Sequence, residues 1–233
     1  MVVKELVSEQ DMMKFLDEAY KKVLDGIPRV SPPVKTLAED YLKKHKTKEE
    51  ACKSMMKNQI IKCTTSGAIA GFGGLITLPV TLPANIANVL YVQMRMIACT
   101  AYMAGYELNS DQTQTFVYAC LAGVAVNQLL KKVGIKIGEK IFDNLIDKIP
   151  GRVLNAINKK VGMRLLTKYG TKGAINLGKL IHGVGAAIGG GLDFFETKII
   201  ANRAYKWFFE NNLEINDDTE EDIIIEAEAR LDD

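Results

Sequence analysis

Residues 63–94 read CTTSGAIAGFGGLITLPVTLPANIANVLYVQM, 32 positions between Lys62 and Arg95 without a charge. How this run is read decides the fold. Its length would admit a transmembrane helix, which needs about 20 apolar residues. Its composition argues otherwise. From Thr65 to Leu82 the strongly apolar residues are Ile69, Phe72, Leu75, Ile76, Leu78, Val80 and Leu82. At roughly −0.5 kcal/mol each they contribute only about −3.5 kcal/mol to insertion. Four glycines, three threonines, a serine and Pro79 offset part of that. Pro79 and Pro83 divide the run into two helices. Asn85, Asn88, Gln93 and Arg95 then make the second a poor span. Two readings follow: a buried hairpin of core helices, or a hairpin that inserts into or lies against a bilayer. The uncharged run from Gln112 to Leu130 carries the same ambiguity, with glutamines near both ends.

Working outward, strand signals are nearly absent and helix signals are frequent. Ser31 before Pro32 and Pro33 predicts an N-cap with prolines in the first turn. Thr47 with Glu50 predicts a capping box. Pro83 opens a long helix to Gly105, a C′ residue. Ser110 caps the next, to about Lys132, and Pro150 starts another. Thr219 with Asp222 is a looser cap for a short acidic helix. Seven to ten helices result. The expected fold is all-α, a compact multi-helix bundle with glycine-rich central helices. Residues 1–212 form one helical domain, with N-terminal helices in 1–46, and 213–233 form an acidic tail.

The 233 residues suit one domain with a large core. Net charge is only +2, but eleven acids and a single base lie between Glu210 and Asp233. A basic body therefore carries an acidic tail. The N-terminus has mixed charges and does not read as a signal peptide. Cys52, Cys63, Cys99 and Cys120 form no CxxC pair and read as buried free thiols of a reducing compartment. The expected location is the cytoplasm.

From Lys131 to Ile149 apolar residues recur every four positions: Val133, Ile137, Ile141, Leu145 and Ile149. This predicts an amphipathic helix. Twelve bases and three acids lie between Lys131 and Lys179. They are either a solvated surface or a face for anionic lipid. The candidate basic face is Lys132, Lys136, Lys140, Arg152, Lys159, Lys160, Arg164 and Lys168. Nucleic acid is not expected as a partner, because aromatic residues are sparse and no recognition motif appears.

Gly67, Gly71 and Gly74 stand four and three apart on one helical face. Gly178, Gly185 and Gly189 do so less regularly, the last two in the stretch LIHGVGAAIGGG (Leu180–Gly191). Small residues so spaced let helix backbones approach closely. The glycine-rich helices are expected to pack together through Gly67, Gly71, Gly74, Gly185 and Gly189. Two nucleotide-like patterns fail on context. GAINLGK, Gly173 to Lys179, is followed by Leu180 rather than Ser or Thr, and no strand precedes it. Gly183, Gly185 and Gly189 form GxGxxxG without a βαβ frame. His45 sits in the basic run KKHKTK and is expected to be exposed. An enzyme reading would use His182, Asp193 and Glu196, though ion pairing of the acids with Lys198 or Arg203 is the simpler expectation. No metal cluster, cofactor motif or nucleophile elbow is present, so no catalytic residue and no cofactor is assigned.

Three stretches resemble the bacterial EcsC family. They are GAIAGFGGLITLPVTLPANI (Gly67–Ile86), RMIACTAYMAGYEL (Arg95–Leu108) and LIHGVGAAIGGGLDFFETKIIANRAYKWF (Leu180–Phe208). Met103 and Ala104 depart from that family's Tyr-Gly helix end by separating Tyr102 from Gly105. The resemblance covers roughly Thr47 to Phe209 and carries no catalytic residue. It implies a non-enzymatic bacterial protein, cytoplasmic or peripheral at the inner face of the membrane, linked to ABC transport or secretion. The implied partners are anionic lipid or a membrane transporter subunit, with self-association possible. The alternative is a soluble helical interaction module.

Overall fold

The computed structural model describes residues 8–64, 82, 84–135, 146, 148–169 and 187–214. Among them are eight helices and no strand: α1 (Glu9–Asp25), α2 (Val34–Leu42), α3 (Lys48–Thr64), α4 (Ala84–Ala104), α5 (Asp111–Ala122), α6 (Val126–Lys132), α7 (Gly151–Tyr169) and α8 (Ala187–Phe208). The all-α bundle expected from the sequence is the fold.

The axis of the bundle is α4. Every residue from Ala87 to Ala101 is buried, because α1, α2, α3, α5 and α8 all pack against it. A helix mainly apolar on all sides belongs inside, and Asn88, Gln93, Arg95 and Thr100 are the buried polar exceptions on this one. It ends where expected, at Gly105 (φ 105), and the Tyr106 amide donates back to Ala101 O at 3.0 Å. Residues 87–93, the described half of the uncharged run, are thus enclosed by protein. Residues 65–81 and 83 of the run lie outside the described residues. No helix among those described is long and apolar enough to cross a membrane.

Several local signals act as their chemistry dictates. Ser110 Oγ accepts from the Thr113 amide at 3.1 Å and caps α5. Thr47 Oγ1 accepts from the Glu50 amide at 3.1 Å, while the Glu50 carboxylate reaches the Lys46 amide rather than closing the box on Thr47. Pro150 O accepts from the Val153 amide at the start of α7.

Other positions depart from expectation. Ser31 does not cap α2. Its residue closes a tight turn with Ile27 through two backbone hydrogen bonds, and its hydroxyl bonds Tyr91 Oη at 2.8 Å. The helix starts at Val34, with Pro33 at the N-cap and no side-chain cap. Gly26 enters that turn at φ 76, where a Cβ would stand 2.6 Å from Pro33 N, so only glycine fits. The helix expected from Ser110 to Lys132 is two helices, because Gly123 takes the left-handed conformation (φ 67) and ends α5. The Arg203 guanidinium of α8 lies over Gly123 and donates to Cys120 O at 2.8 Å, satisfying a last-turn carbonyl. The amphipathic run from Lys131 is also broken. Gly134 (φ 78) follows the end of α6, and Val133, expected on the apolar face, is 50% exposed.

Candidate functional site

Helix α7 has one covered side and one open side. It packs on α5 and α1 through Val153, Leu154, Ile157, Val161, Leu165 and Tyr169. Gly162 is buried as well, Asn158, Leu166 and Lys168 are half-buried, and the other positions face solvent. Arg152, Lys159, Lys160 and Arg164 are exposed there, with Met163 at 52% exposure among them. No acid occurs between Gly151 and Tyr169, so nothing within the helix neutralises this face. Lys132, at the end of α6, is also exposed, and α6 packs on α7. Lys136 and Lys140 lie outside the described residues.

Lys168 does not belong to the open face. Its Nζ stands 3.0 Å from Glu196 Oε1 and 5.4 Å from the Tyr169 ring centroid, joining α7 to α8. Tyr169 Oη donates to the same carboxylate at 2.7 Å. Glu196 therefore pairs with Lys168 rather than Lys198 or Arg203. Its side chain holds the bundle together, and of its expected enzymatic companions His182 lies outside the described residues. Asp193 is placed only as a backbone position of α8. His45 is half-buried rather than exposed, its ring stacked on Tyr41 and its Nδ1 2.9 Å from Tyr41 O.

Gly67, Gly71, Gly74 and Gly185 lie outside the described residues, and Gly189 is described only as part of the α8 backbone. A close glycine contact between two described helices, α7 and α1, lies elsewhere. A Cβ on Gly162 of α7 would stand 2.8 Å from Glu9 Cγ and 3.3 Å from Met13 Cγ of α1. Sequence reasoning missed it because Gly162 has no companion glycine at helical spacing.

All four cysteines are buried free thiols. Burial pushes the Cys52 and Cys120 thiols up to about 12 and the Cys99 thiol upward as well. Thiols so held are poor nucleophiles, since the thiolate is the reactive form. A shallow depression of about 420 Å³ lies over the Ile27–Ser31 turn, lined by Asp25 and residues 27–33. No group of three or more His, Cys, Asp or Glu placed to hold a metal ion occurs among the described residues.

The core contains polar groups that the sequence pattern did not single out as a set. Gln93, fully buried, donates through Nε2 to Thr197 Oγ1 of α8 at 3.0 Å. Arg95, only 4% exposed, donates through Nη2 to Pro32 O at 2.9 Å. Gln59 Nε2, Gln93 Oε1 and Arg95 Nε have no hydrogen-bond partner among the described residues. Burial lowers the Arg95 pKa from its ordinary value.

Comparison with curated proteins and with solved structures finds no match. The profile of the EcsC protein family matches residues 7–208, from just before α1 to the last residue of α8. That span includes α1 and α2, upstream of the stretches that carry the resemblance in the sequence. With most of its length matched, the chain belongs to the EcsC protein family.

Proposed function

We propose that this protein is a non-enzymatic accessory protein at the cytoplasmic face of the bacterial membrane, linked to ABC transport or secretion, with α7 turned toward anionic lipid. One observation carries the reading: Arg152, Lys159, Lys160 and Arg164 share the outward face of a helix that has no acid, around an exposed Met163. Each well-placed cation near an anionic surface contributes about 1 kcal/mol, and the attraction weakens with salt. Met163 adds a small apolar contact at the centre of the patch. In this reading further apolar contact comes from the first half of the uncharged run, Gly67 to Leu82, since residues 87–93 are enclosed.

Vesicle flotation of the full chain tests it. Co-flotation with phosphatidylglycerol-containing vesicles, absent with phosphatidylcholine alone, is the expected result. Lys159→Glu with Lys160→Glu should weaken it at least about tenfold, from the contribution per cation. Equal behaviour on both vesicle types removes the proposal. The enclosure of residues 87–93 favours a second reading, a soluble interaction module that docks on a transporter subunit. That module would remain unbound to both vesicle types and monodisperse without detergent.

A further inference from the structure

The exposed face of α7 has a candidate occupant in the chain itself. Residues 215–233 lie outside the described residues, but the point from which they depart is fixed. Asn211 follows α8 in the left-handed conformation (φ 53), and the Asn212 amide donates to Lys206 O at 2.9 Å. Tyr106 Oη donates to Asn211 Oδ1 at 3.3 Å, tying this turn to the segment after α4. Leu213 is then buried, and Glu214 is exposed.

That anchor lies level with the N-terminal half of α7. Two connections set the register of α7 against α8. Lys168, near the end of α7, pairs with Glu196 of α8 at 3.0 Å. Earlier on α7, Asn158 Nδ2 donates to Thr115 Oγ1 of α5 at 3.2 Å. The next residue of α5, Phe116, meets the ring of Trp207, later on α8, edge to face at 6.1 Å. The two helices therefore run in opposite directions, with α5 between them at the end of α8. Lys159 and Lys160 directly follow Asn158 and are exposed. Packed helix axes lie 8–10 Å apart, so two spacings across α5 come to about 20 Å. An extended chain covers about 3.3 Å per residue, which lets Asp217 stand up to about 13 Å from Leu213 and Asp222 up to about 30 Å. The span to α7 falls inside that window.

Charge selects the surface. Asp217, Asp218, Glu220, Glu221 and Asp222 put five acids in six positions. No acid stands on α7 between Gly151 and Tyr169. The exposed lysines between Lys43 and Lys48, by contrast, run straight into the exposed Glu49 and Glu50.

We propose that the acidic run Asp217–Asp222 docks, within its own chain, on the exposed face of α7, pairs with Lys159, Lys160 and Arg164, and competes with anionic lipid for that face. Surface pairs of this kind are individually weak and are screened by salt. Tethering to Leu213 raises the effective concentration of the acids to the millimolar range, so several weak pairs suffice to occupy the face. Ile223, Ile224 and Ile225 follow the acids and supply apolar partners for Met163, which is 52% exposed. The contact rests on α7 and the anchored segment alone; its consequence for lipid rests on the membrane reading above.

The full chain, dilute and at low salt, is treated with a carbodiimide, which joins a lysine amine to a carboxylate in contact with it. Peptide mapping of the monomer is expected to find Lys159 or Lys160 joined to a carboxylate within Asp217–Asp222, with a yield that falls several-fold at about 0.5 M salt. Links from the acidic run to Lys43–Lys48 instead, links found only in dimers, or no link from the acidic run each overturn the proposal. A second measurement uses the full chain with Asp217→Asn, Asp218→Asn, Glu220→Gln, Glu221→Gln and Asp222→Asn combined. Acylation of Lys159 and Lys160 should speed up several-fold, with the exposed Lys21 of α1 unchanged. Affinity for phosphatidylglycerol-containing vesicles should rise about tenfold. Faster acylation with no flotation of either form sinks the membrane reading and keeps the contact. Unchanged acylation overturns the contact, and wild-type flotation in that case leaves the membrane reading standing. Flotation of the wild type that the five changes leave unaltered overturns the competition.

Discussion

Helices α4 and α7 are nearly equal in length, 21 and 19 residues, and treat charge in opposite ways. Around α4 the bundle closes on every side, and its one arginine is 4% exposed. Along α7 only a stripe is covered, and Arg152, Lys159, Lys160 and Arg164 point away from it. An arginine on α7 costs little to hydrate and is free to meet an anionic surface. The arginine on α4 is almost wholly enclosed and donates to the Pro32 carbonyl. The same residue type is a solubilising group in one place and an enclosed charge in the other. Periodicity separates the two helices, since α7 repeats its apolar residues at helical spacing while α4 is mainly apolar all round.

The sharpest way to break this contrast is to make one truncation on each helix. Met96 of α4 is fully buried and Met163 of α7 is 52% exposed. Met96→Ala should lower unfolding free energy by about 3 kcal/mol, in the range for a core methionine, and Met163→Ala by less than about 0.5 kcal/mol. Urea denaturation of the two variants measures both, and similar losses would mean α7 is covered at Met163. Next in size is Gly162→Leu, which drives a side chain into Glu9 and Met13 of α1. Overpacking of this kind costs about 2 kcal/mol. Gly162→Ala should be far milder, because the nearest atom is the flexible Glu9 Cγ. An undiminished Tm in Gly162→Leu would show that α1 does not press on α7.

The smallest effect near neutral pH comes from the thiols around α4. Their folded pKa values are raised, to about 12 for Cys52 and Cys120. A raised pKa stabilises the fold below the unfolded value, about 8.5 for cysteine, and that stabilisation is lost as pH rises above it. Stability should therefore be flat in this respect up to about pH 8.5 and decline toward pH 12. Serine at Cys52 and Cys120 should flatten the decline in a pH series of denaturation curves.

Much of the architecture was legible because it depends on neighbours in sequence. Gly105 ends α4, Ser110 caps α5 and Pro150 opens α7, each through a backbone requirement that one residue type meets; Pro83 lies outside the described residues. The errors arose where a distant contact decided. Ser31 looked like a cap until its hydroxyl was claimed by Tyr91, sixty positions away. Gly123 broke a continuous apolar run, and Arg203 of α8 seals the break. Lys168 had the composition of the basic face, but Glu196 removes it. The exposed cations of α7 were readable from composition and spacing. The burial of Arg95 was not, since its cover comes from distant elements such as the start of α2.

The enclosure of α4 bears on how the chain is made. Its sheath comes from both sides of the sequence, with α1, α2 and α3 before it and α5 and α8 after it. The last part, α8, ends at Phe208, while α4 ends at Ala104. At the usual synthesis rate of about 5–20 residues per second, α4 waits roughly 5–20 s for its last covering helix. During that interval it exposes apolar surface and a cation that the finished fold encloses. A ribosome-bound chain stalled before α8 should accordingly be protease-sensitive along α4 and a strong client for chaperones, whereas a chain stalled after Leu213 should not.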